Sequence, residues 1–378
     1  MSYSLDRRGF LSRSALLGGS FLTCFSPLDT SASAAPVKIA APVIDQLTIR
    51  EITDNSHDIF LSGAKYPGLS VSRTIFPAAA LGKTLESEWG LAMHVESRKG
   101  DETKRYLLDF GYTSDVYVNN VALMKINLAD IDALIISHGH YDHIGGLMGL
   151  LEAKRSGMRK GLRLYTGGED NFCHRGFPNP DGTYTTFPVF DRKQLRAMDV
   201  EPVLSEIPVI IEGHAFTTGV IPRTSLEHVL PNSYVSLENK DGTGCDAKAY
   251  QDHHFSADEL AGKAVPDQHW HEHATCFNLG DRGLIVMSSC GHAGIINTLR
   301  RAQEITGIEK IHALVGGFHL APAPSDYLRQ VMTELKKFNL EHVLPMHCSG
   351  QNFIDLAKQE MPEKLVLCAT GSTYTFTA

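Results

Sequence analysis

The sequence has little of several features that would assign a protein to a class at once. Its 378 residues contain only two tryptophans, no block of like charges and no low-complexity tract. The formal net charge of −8, from 43 acidic and 35 basic residues, gives no electrostatic footprint for nucleic acid or an anionic membrane. Any phosphate anion must therefore be held locally. Beyond the N-terminal segment no apolar run reaches about 18 residues, so we expect no transmembrane helix.

The composition, 43% hydrophobic and 21% charged, excludes a disordered or fibrous chain. Cysteine is sparse, and its wide spacing differs from that of a small disulfide-stapled scaffold, so we predict no particular pairing. Histidine is abundant instead, with 18 residues, and this excess requires an explanation. The six cysteines beyond the N-terminal segment are Cys173, Cys245, Cys276, Cys290, Cys348 and Cys368.

Residues 1–35 are predicted to be an export signal. The paired Arg7 and Arg8 precede a short, modestly apolar stretch, and small residues follow at 32–35. This pattern resembles a twin-arginine signal with an A-x-A cleavage site, and the stretch is too short and too rich in Gly and Ser to span a bilayer stably. The resemblance implies export of the folded protein by the twin-arginine machinery to the periplasm or medium. The alternative is a disordered basic N-terminus.

From residue 43 onward, short β-branched runs alternate with helical stretches, which predicts an α/β domain over 43–378. The apolar run at 133–137 is typical of a strand buried on both faces. Residues 170–275 contain turn signals and a polar stretch, and we expect a loop-rich insertion that covers a site. The other predicted strands are 47–53, 91–96, 105–110, 283–288, 312–315 and 342–345, and the predicted helices are 145–155, 294–303 and 325–338.

Directly after the 133–137 strand come four residues of metal-ligand type: His138, His140, Asp142 and His143. Such a density of polar groups has no packing rationale, because each buried polar group needs a partner. Metal coordination supplies those partners, and imidazole with carboxylate suits zinc, iron or manganese. One segment of this kind can serve two adjacent metal ions.

This H-x-H-x-D-H string after an apolar strand resembles the metallo-β-lactamase superfamily. The resemblance implies a four-layer αββα sandwich with one or two divalent metal ions at one edge of its paired sheets. Four further strings, at 218–223, 290–299, 316–320 and 345–350, resemble the branch described as dihydropterin ribofuranosyl-aminobenzene phosphate synthase-like. The similarity covers nearly all of residues 45–375, and it does not fix the substrate.

The resemblance implies that His138 and His140 hold a first metal, and that Asp142 and His143 hold a second. His347 matches the last histidine of the superfamily pattern and completes the second site. His292 follows a predicted strand, as a metal ligand does. However, residues 288–292 occupy roughly the place where the superfamily pattern has a bridging aspartate, so that carboxylate is absent from this sequence. Either His292 replaces a usual ligand or the two metals bind unequally, and the neighbouring Cys290 is a weaker candidate ligand.

Other polar residues have competing interpretations. His319 is predicted to contact substrate or transfer a proton, although a strand-end histidine can simply bond to the backbone. Arg223 either binds a substrate anion or pairs with an acidic neighbour. The histidines of 269–273 and 253–254 have two functional interpretations, a third metal site or a substrate-facing lid. We favour the alternative that they belong to a solvated polar loop. Asp54 and Asn55 are expected to shape only the rim of the site.

The favoured hypothesis is metal-dependent hydrolysis, in which a metal-bound hydroxide attacks a small-molecule substrate. Asp142 orients the water as well as binding metal, and His319 protonates the leaving group. An exported protein would rarely meet the pterin precursor of the branch name, so we expect a phosphoester, cyclic phosphodiester or lactone. A di-iron redox enzyme is an alternative, but such relatives carry a carboxylate where His140 stands. A non-catalytic metal or ligand binder is supported only by the missing bridging carboxylate.

Overall fold

The computed structural model describes residues 37–74, 82–181, 183–230, 233–237, 243–246 and 255–378. The predicted export signal and the histidines of 253–254 lie outside these described residues. The strands are β1 (Gln46–Thr53), β2 (Ala64–Tyr66), β3 (Leu69–Arg73), β4 (Ala92–Lys99), β5 (Glu102–Leu108), β6 (Ala133–Ile135), β7 (Leu162–Thr166), β8 (His174–Pro178), β9 (Tyr184–Thr186), β10 (Val200–Leu204), β11 (Ile210–Ile211), β12 (Ala215–Thr217), β13 (Tyr234–Ser236), β14 (Val265–Pro266), β15 (Thr275–Asn278), β16 (Leu284–Ser288), β17 (Ile311–Gly317), β18 (His342–Met346) and β19 (Ser372–Thr377). The helices are α1 (Ser114–Leu123), α2 (Tyr141–Ile144), α3 (Leu147–Lys154), α4 (Arg192–Ala197), α5 (Ala257–Leu260), α6 (Ile295–Thr306), α7 (Ser325–Lys336) and α8 (Gln351–Glu360).

Two large sheets form the framework. One has nine strands in the order β10-β7-β6-β5-β4-β1-β19-β3-β2, and the other has six in the order β11-β12-β15-β16-β17-β18. In the first sheet β5, β6, β7 and β10 run parallel, and in the second β16, β17 and β18 do. The carboxyl ends of parallel strands meet at one edge, which is where open α/β sheets place their ligands.

The apolar core lies in three layers. Side chains from the facing surfaces of both sheets pack together, and the rings of Tyr106 on β5 and Phe277 on β15 lie 6.0 Å apart. Helices α1 and α3 cover the outer face of the nine-stranded sheet, and α6, α7 and α8 cover that of the six-stranded sheet. Strands such as β6 and β16 are buried on both faces for this reason. The predicted αββα sandwich is confirmed. Within the described ranges, none of the helices has the length and apolar character of a membrane span.

Residues 170–275 were predicted to form a loop-rich insertion, but the structure has several short strands in this segment. Strand β10 extends the first sheet, β11 and β12 extend the second, and β8, β9, β13 and β14 form a separate four-stranded sheet. This small sheet lies beside the edge that carries the histidine motif, because His140 Nε2 lies 2.7 Å from the Oγ of Ser233, directly before β13.

A disulfide that the cysteine spacing did not predict joins Cys173 to Cys245, 72 residues further along the chain. Both cysteines are buried, and the crosslink constrains the segment between them in the unfolded chain. We expect the double variant Cys173→Ser/Cys245→Ser to lose about 2–4 kcal/mol of unfolding free energy in urea titrations. Reductant should lower the wild-type midpoint and leave that of the variant unchanged. Equal midpoints for oxidised wild type and variant would contradict the prediction.

His94 makes the fold sensitive to acid. It is buried on β4, and burial, followed by the charges of Arg50 and Arg105, lowers its pKa from 6.5 to about 3. Between these pH values the unfolded chain binds a proton that the folded chain does not. This histidine therefore removes about 1.4 kcal/mol of stability per pH unit as the pH falls through that window. Unfolding titrations from pH 7 to pH 4 should show a shallower pH slope for His94→Leu, whereas His228→Leu, at an exposed position, should keep the wild-type slope.

Candidate metal centre

The histidine motif is positioned by the turn between β6 and α2. Strand β6 ends at Ile135, and His140 is the extended residue at which α2 begins. Two glycines allow other segments to approach this turn closely. A Cβ atom at Gly139 would clash with the backbone oxygen of Asn171, and one at Gly145 would clash with that of Tyr112. The motif is therefore packed against backbone on two sides.

A first group of ligand atoms comes from His138, His140 and His292. One donor nitrogen of each lies within 4.8 Å of the others, and the ring centroids are 4.8–5.0 Å apart. Burial lowers the pKa of all three imidazoles, to about 3 for His140 and well below the usual range for the other two. Neutral imidazoles with free lone pairs are the form that binds a metal ion.

A second group is centred on Asp142. Its Oδ1 lies 4.0 Å from His143 Nε2, and its Oδ2 lies 3.2 Å from His347 Nε2. Burial raises the pKa of Asp142, but His143 and His347 outweigh that effect and hold it below its usual range. Burial in turn lowers the pKa of His347, whereas Cys348 and Asp142 together raise it to about 9. An ionised carboxylate between two imidazoles is a ligand set for a divalent ion, which on binding would displace the proton of His347.

The hydrogen bonds of these histidines fit a metal centre. In four of them a polar group holds one ring nitrogen and turns the other toward the shared space, as is usual for metal-binding imidazoles. Among the described residues His138 Nε2, His143 Nε2 and both nitrogens of His292 are buried without a hydrogen-bond partner. The pairs are His138 Nδ1 with Ser137 Oγ at 2.9 Å, His140 Nε2 with Ser233 Oγ at 2.7 Å, His143 Nδ1 with Asp109 Oδ2 at 2.9 Å and His347 Nδ1 with Asn55 Oδ1 at 3.2 Å.

The thiol of Cys290 lies between the two groups. Its Sγ is within 4.8 Å of donor atoms of His138 and His143, and separately of His347 and Cys348. The sulfur atoms of Cys290 and Cys348 are 3.2 Å apart. The sequence left open how the centre manages without a bridging carboxylate. The structure places His292 with the first group and a thiol at the point between the groups.

His319 faces the same space. Its ring centroid lies 4.1 Å from that of His292, and its Nδ1 lies 3.8 Å from Cys290 Sγ. The backbone φ of His319 is +46°, in the left-handed region that few residues other than glycine adopt. Of the eight such non-glycine residues in the described ranges, four surround this centre: Asp109, His269, His319 and His347. Strained backbone of this kind concentrates at functional sites.

The favoured interpretation of 269–273 as a solvated polar loop is wrong. Its histidines and Glu272 are at most 3% exposed, because the segment leads into the buried strand β15 and supports the centre from behind. The ring of His269 stacks on that of His292 with centroids 3.9 Å apart. The supporting hydrogen bonds run from Gly139 N to His271 Nε2 at 2.9 Å, from His292 N to Glu272 Oε1 at 3.0 Å, from Ala293 N to Glu272 Oε2 at 2.6 Å and between His273 Nε2 and Ile136 O at 2.9 Å.

Arg223 lies away from the space in front of the ligand groups. Its guanidinium stacks over Trp270, 4.2 Å from the ring centroid, and donates to the backbone oxygen of Gln268. Its side chain is not among those that line the cavity over the centre. The guanidinium is thus held by the segment that carries Trp270, and its binding of a substrate anion or of an acidic neighbour stays a prediction.

Three supporting residues were missed or underestimated. Asp109 directly follows β5, is fully buried, and accepts hydrogen bonds from Ser137 N and Oγ, both at 2.8 Å, besides its contact with His143. Its position at the end of the strand next to β6 was the available signal. Asp54 accepts a hydrogen bond from His347 N at 2.8 Å, and Asn55 Nδ2 donates to His347 O at 2.8 Å. Both therefore hold a ligand rather than only shaping the rim.

A cavity of about 600 Å³ opens over the centre. Asp142, His319 and His347 lie on its lining, together with His140 and the two thiols. Substrate in this cavity would reach both ligand groups. A catalytic centre needs such an open face, whereas a purely structural metal site is closed by protein ligands.

Comparisons with known proteins agree with this architecture. A sequence profile of the Metallo-beta-lactamase superfamily matches residues 96–157, which include the histidine motif. The 7,8-dihydropterin-6-methyl-4-(beta-D-ribofuranosyl)-aminobenzene-5'-phosphate synthase of Methanocaldococcus jannaschii is 27% identical over 301 residues, 77% of this chain and 90% of that protein. An uncharacterized protein of the same organism is 23% identical over 251 residues, 65% of this chain and 80% of that protein. The crystal structure of a metal-dependent hydrolase of the beta-lactamase superfamily aligns with a TM-score of 0.59 and 21% identity, covering 86% of this chain and 98% of that one.

Proposed function

We propose that this chain is a metal-dependent hydrolase of the metallo-β-lactamase superfamily with two divalent ions in its centre. One observation carries the proposal. Several buried imidazole nitrogens without hydrogen-bond partners converge on two adjacent spaces, one between His138, His140 and His292 and the other beside Asp142. Unpaired buried nitrogens are costly in a folded protein unless a ligand uses them. Zinc fits these donors, and iron or manganese also accept imidazole and carboxylate.

In this proposal His138, His140 and His292 would hold the first ion, and Asp142, His143 and His347 would hold the second. The thiol of Cys290 lies near both groups. Divalent ions so placed supply electrophilic activation of the scissile group and of a water molecule. The protein fixes the ligands through their outer partners and keeps the space open toward the cavity. His319 Nε2 is buried without a partner in the described part of the chain, and it donates a proton to the leaving group.

Phosphoesters, cyclic phosphodiesters and lactones are the substrate classes to test. Because the methanogen relative is named as a synthase, the assay follows hydrolysis directly. Purified protein supplemented separately with zinc, manganese and iron should cleave one of the three classes, with products identified by mass spectrometry. His138→Ala should have strongly reduced activity under each condition. Absence of turnover across all three classes in a protein that carries its metals would contradict the proposed function.

We also propose that the chain is exported in folded form by the twin-arginine machinery to the periplasm or medium. The paired Arg7 and Arg8 support this. The Cys173 to Cys245 disulfide also supports it, because such bonds persist in oxidising compartments. Cell fractionation should find the processed protein outside the cytoplasm, and Arg7→Lys/Arg8→Lys should retain the precursor inside. Unchanged localisation of the double variant would overturn this proposal.

A further inference from the structure

The cavity over the centre has an aromatic wall, formed by Tyr112, Tyr141, Phe177 and Phe187. The rings of Tyr112 and Tyr141 meet edge to face with centroids 4.9 Å apart. Tyr141 and Phe187 are nearly parallel at 6.3 Å, and Phe187 meets Phe177 edge to face at 5.2 Å. These geometries are the favourable ones for aromatic pairs. The wall is thus a continuous row of rings that leads away from the metal ligands.

The rings come from separate parts of the chain. Tyr112 follows β5, Tyr141 lies on α2, Phe177 on β8, and Phe187 follows β9. Their closeness in space therefore does not follow from closeness in the sequence. It depends on the tertiary structure, in which the small sheet of β8 and β9 lies beside the metal centre. A fifth aromatic residue, Trp89, also lines the cavity, and its ring lies 5.0 Å from that of His347.

Several of these rings are partly exposed. Trp89 is 55% exposed, Phe177 46% and Tyr112 40%. Single exposed aromatic residues are ordinary on protein surfaces, whereas a contiguous apolar patch at a cavity marks a binding surface. These exposed rings line one cavity together, which indicates that a ligand covers them.

The charged and metal-ligand-type side chains that line the cavity all belong to the metal centre and its neighbours: His140, Asp142, Cys290, His319, His347 and Cys348. Its other lining residues include Ser233, Ala321 and Pro322, and no lysine or arginine of the described ranges lines it. Arg223, a candidate anion ligand in the sequence, does not line the cavity and lies over Trp270. Away from the metal centre, the described part of the cavity therefore presents aromatic side chains to a substrate and no basic side chain.

We propose that the aromatic wall binds an uncharged aromatic group of the substrate, and that the scissile group is a carboxylic ester or lactone. This inference rests on the proposed hydrolase function and specifies its substrate class. In the reaction the acyl carbon–oxygen bond breaks and the oxygen of water bonds to the acyl carbon. One proton of water passes to the leaving oxygen, so the products are a carboxylic acid and an alcohol, or a hydroxy acid from a lactone. No electrons are transferred.

A matched ligand pair separates recognition by the wall from turnover. We would measure, by isothermal titration calorimetry on the metal-loaded protein, the binding of 1-(naphthalen-2-yl)pentan-3-one and of pentan-3-one. These ketones replace the ester oxygen by carbon and cannot be hydrolysed. The naphthyl ketone should bind at least about tenfold more tightly, because its ring is buried against the wall. Equal binding of the two ketones would overturn the role of the wall, whether or not the protein proves to be a hydrolase.

Single-residue variants test whether the naphthyl ketone binds at the aromatic wall. Phe177→Ala and Trp89→Ala truncate exposed rings at the cavity, and each should weaken naphthyl ketone binding about three- to tenfold. Phe60→Ala is the matched control, because Phe60 is 88% exposed and does not line the cavity. Circular dichroism would verify folding of each variant. A loss of binding in Phe60→Ala equal to that in Phe177→Ala would contradict the location.

Turnover tests the ester part of the inference. Methyl 3-(naphthalen-2-yl)propanoate should be hydrolysed with a KM at least about tenfold below that of methyl propanoate, which shares its scissile group. The phosphoester comparison is 2-naphthyl phosphate, which carries the same ring system. Hydrolysis of 2-naphthyl phosphate without hydrolysis of the carboxylic ester would overturn the ester assignment, while the proposed hydrolase function would stand.

Discussion

Replacing His138 with alanine should lower kcat/KM by about three orders of magnitude, because loss of an ion removes several kcal/mol of transition-state stabilisation. His138 is fully buried, its Nδ1 is held by Ser137, and its Nε2 has no hydrogen-bond partner in the described part of the chain. The substitution removes a ligand atom and leaves the second group unchanged. Elemental analysis should therefore show fewer bound ions per chain in the variant, alongside the kinetic loss.

His312 provides a matched control for this experiment. It is also a fully buried histidine on a strand of the core, so His312→Ala creates a comparable cavity far from the ligand groups. We expect this variant to lose stability while retaining its metal content and its kcat/KM. Full metal content and activity in His138→Ala, or an equal loss in both variants, would contradict the assignment of the first group.

Replacing Asp109 with alanine should have the second-largest effect, a loss of about 10–100-fold in metal affinity. The Asp109 carboxylate fixes the ring of His143 through Nδ1 and holds the turn before His138 through the backbone nitrogen and hydroxyl of Ser137. Without it, His143 loses its orientation and the turn loses two hydrogen bonds. Chelator competition on the purified variant would measure the change in affinity.

Asp132 gives the matched control at the opposite end of β6. It accepts a hydrogen bond from Arg105 N at 2.8 Å and pairs with Arg159, so it supports the same strand without touching a ligand. Asp132→Asn should leave metal affinity within about twofold of the wild type, since it removes no outer partner of a ligand. An affinity loss in Asp132→Asn as large as that in Asp109→Ala would show that Asp109 acts through general stability alone.

The fold was largely predictable from periodicity. The apolar run at 133–137 corresponds to β6, and the later predicted strands correspond to β16, β17 and β18. Continuous apolar runs of this length bounded by turn residues fit strands that are covered on both faces. Strand β19 was not predicted, although it pairs between β1 and β3 in the first sheet. Its neighbours lie hundreds of residues away in the chain, and pairing at that distance leaves no local pattern.

The part of the candidate site whose residues are close in sequence was predictable. The residues that hold those side chains in place come from distant parts of the chain and were not predictable. Residues 138–143 were recognised from their spacing, and the structure brings His292 and His347 to them. The burial of 269–273 was missed because alternating polar residues in a connecting segment are typical of solvent-exposed loops. Only the tertiary structure shows that this segment lies behind the metal ligands. The disulfide between Cys173 and Cys245 was missed for a similar reason, since spacing alone does not determine pairing.

In the proposed centre, one folded chain holds two divalent ions in adjacent groups of ligands. A crystal structure of the purified protein, with diffraction data collected at the absorption edges of zinc, iron and manganese, tests it most directly. We predict two anomalous peaks, one among His138, His140 and His292 and the other among Asp142, His143 and His347. Absence of both peaks from a protein prepared without chelators, or a peak bound only by other residues, would contradict the claim.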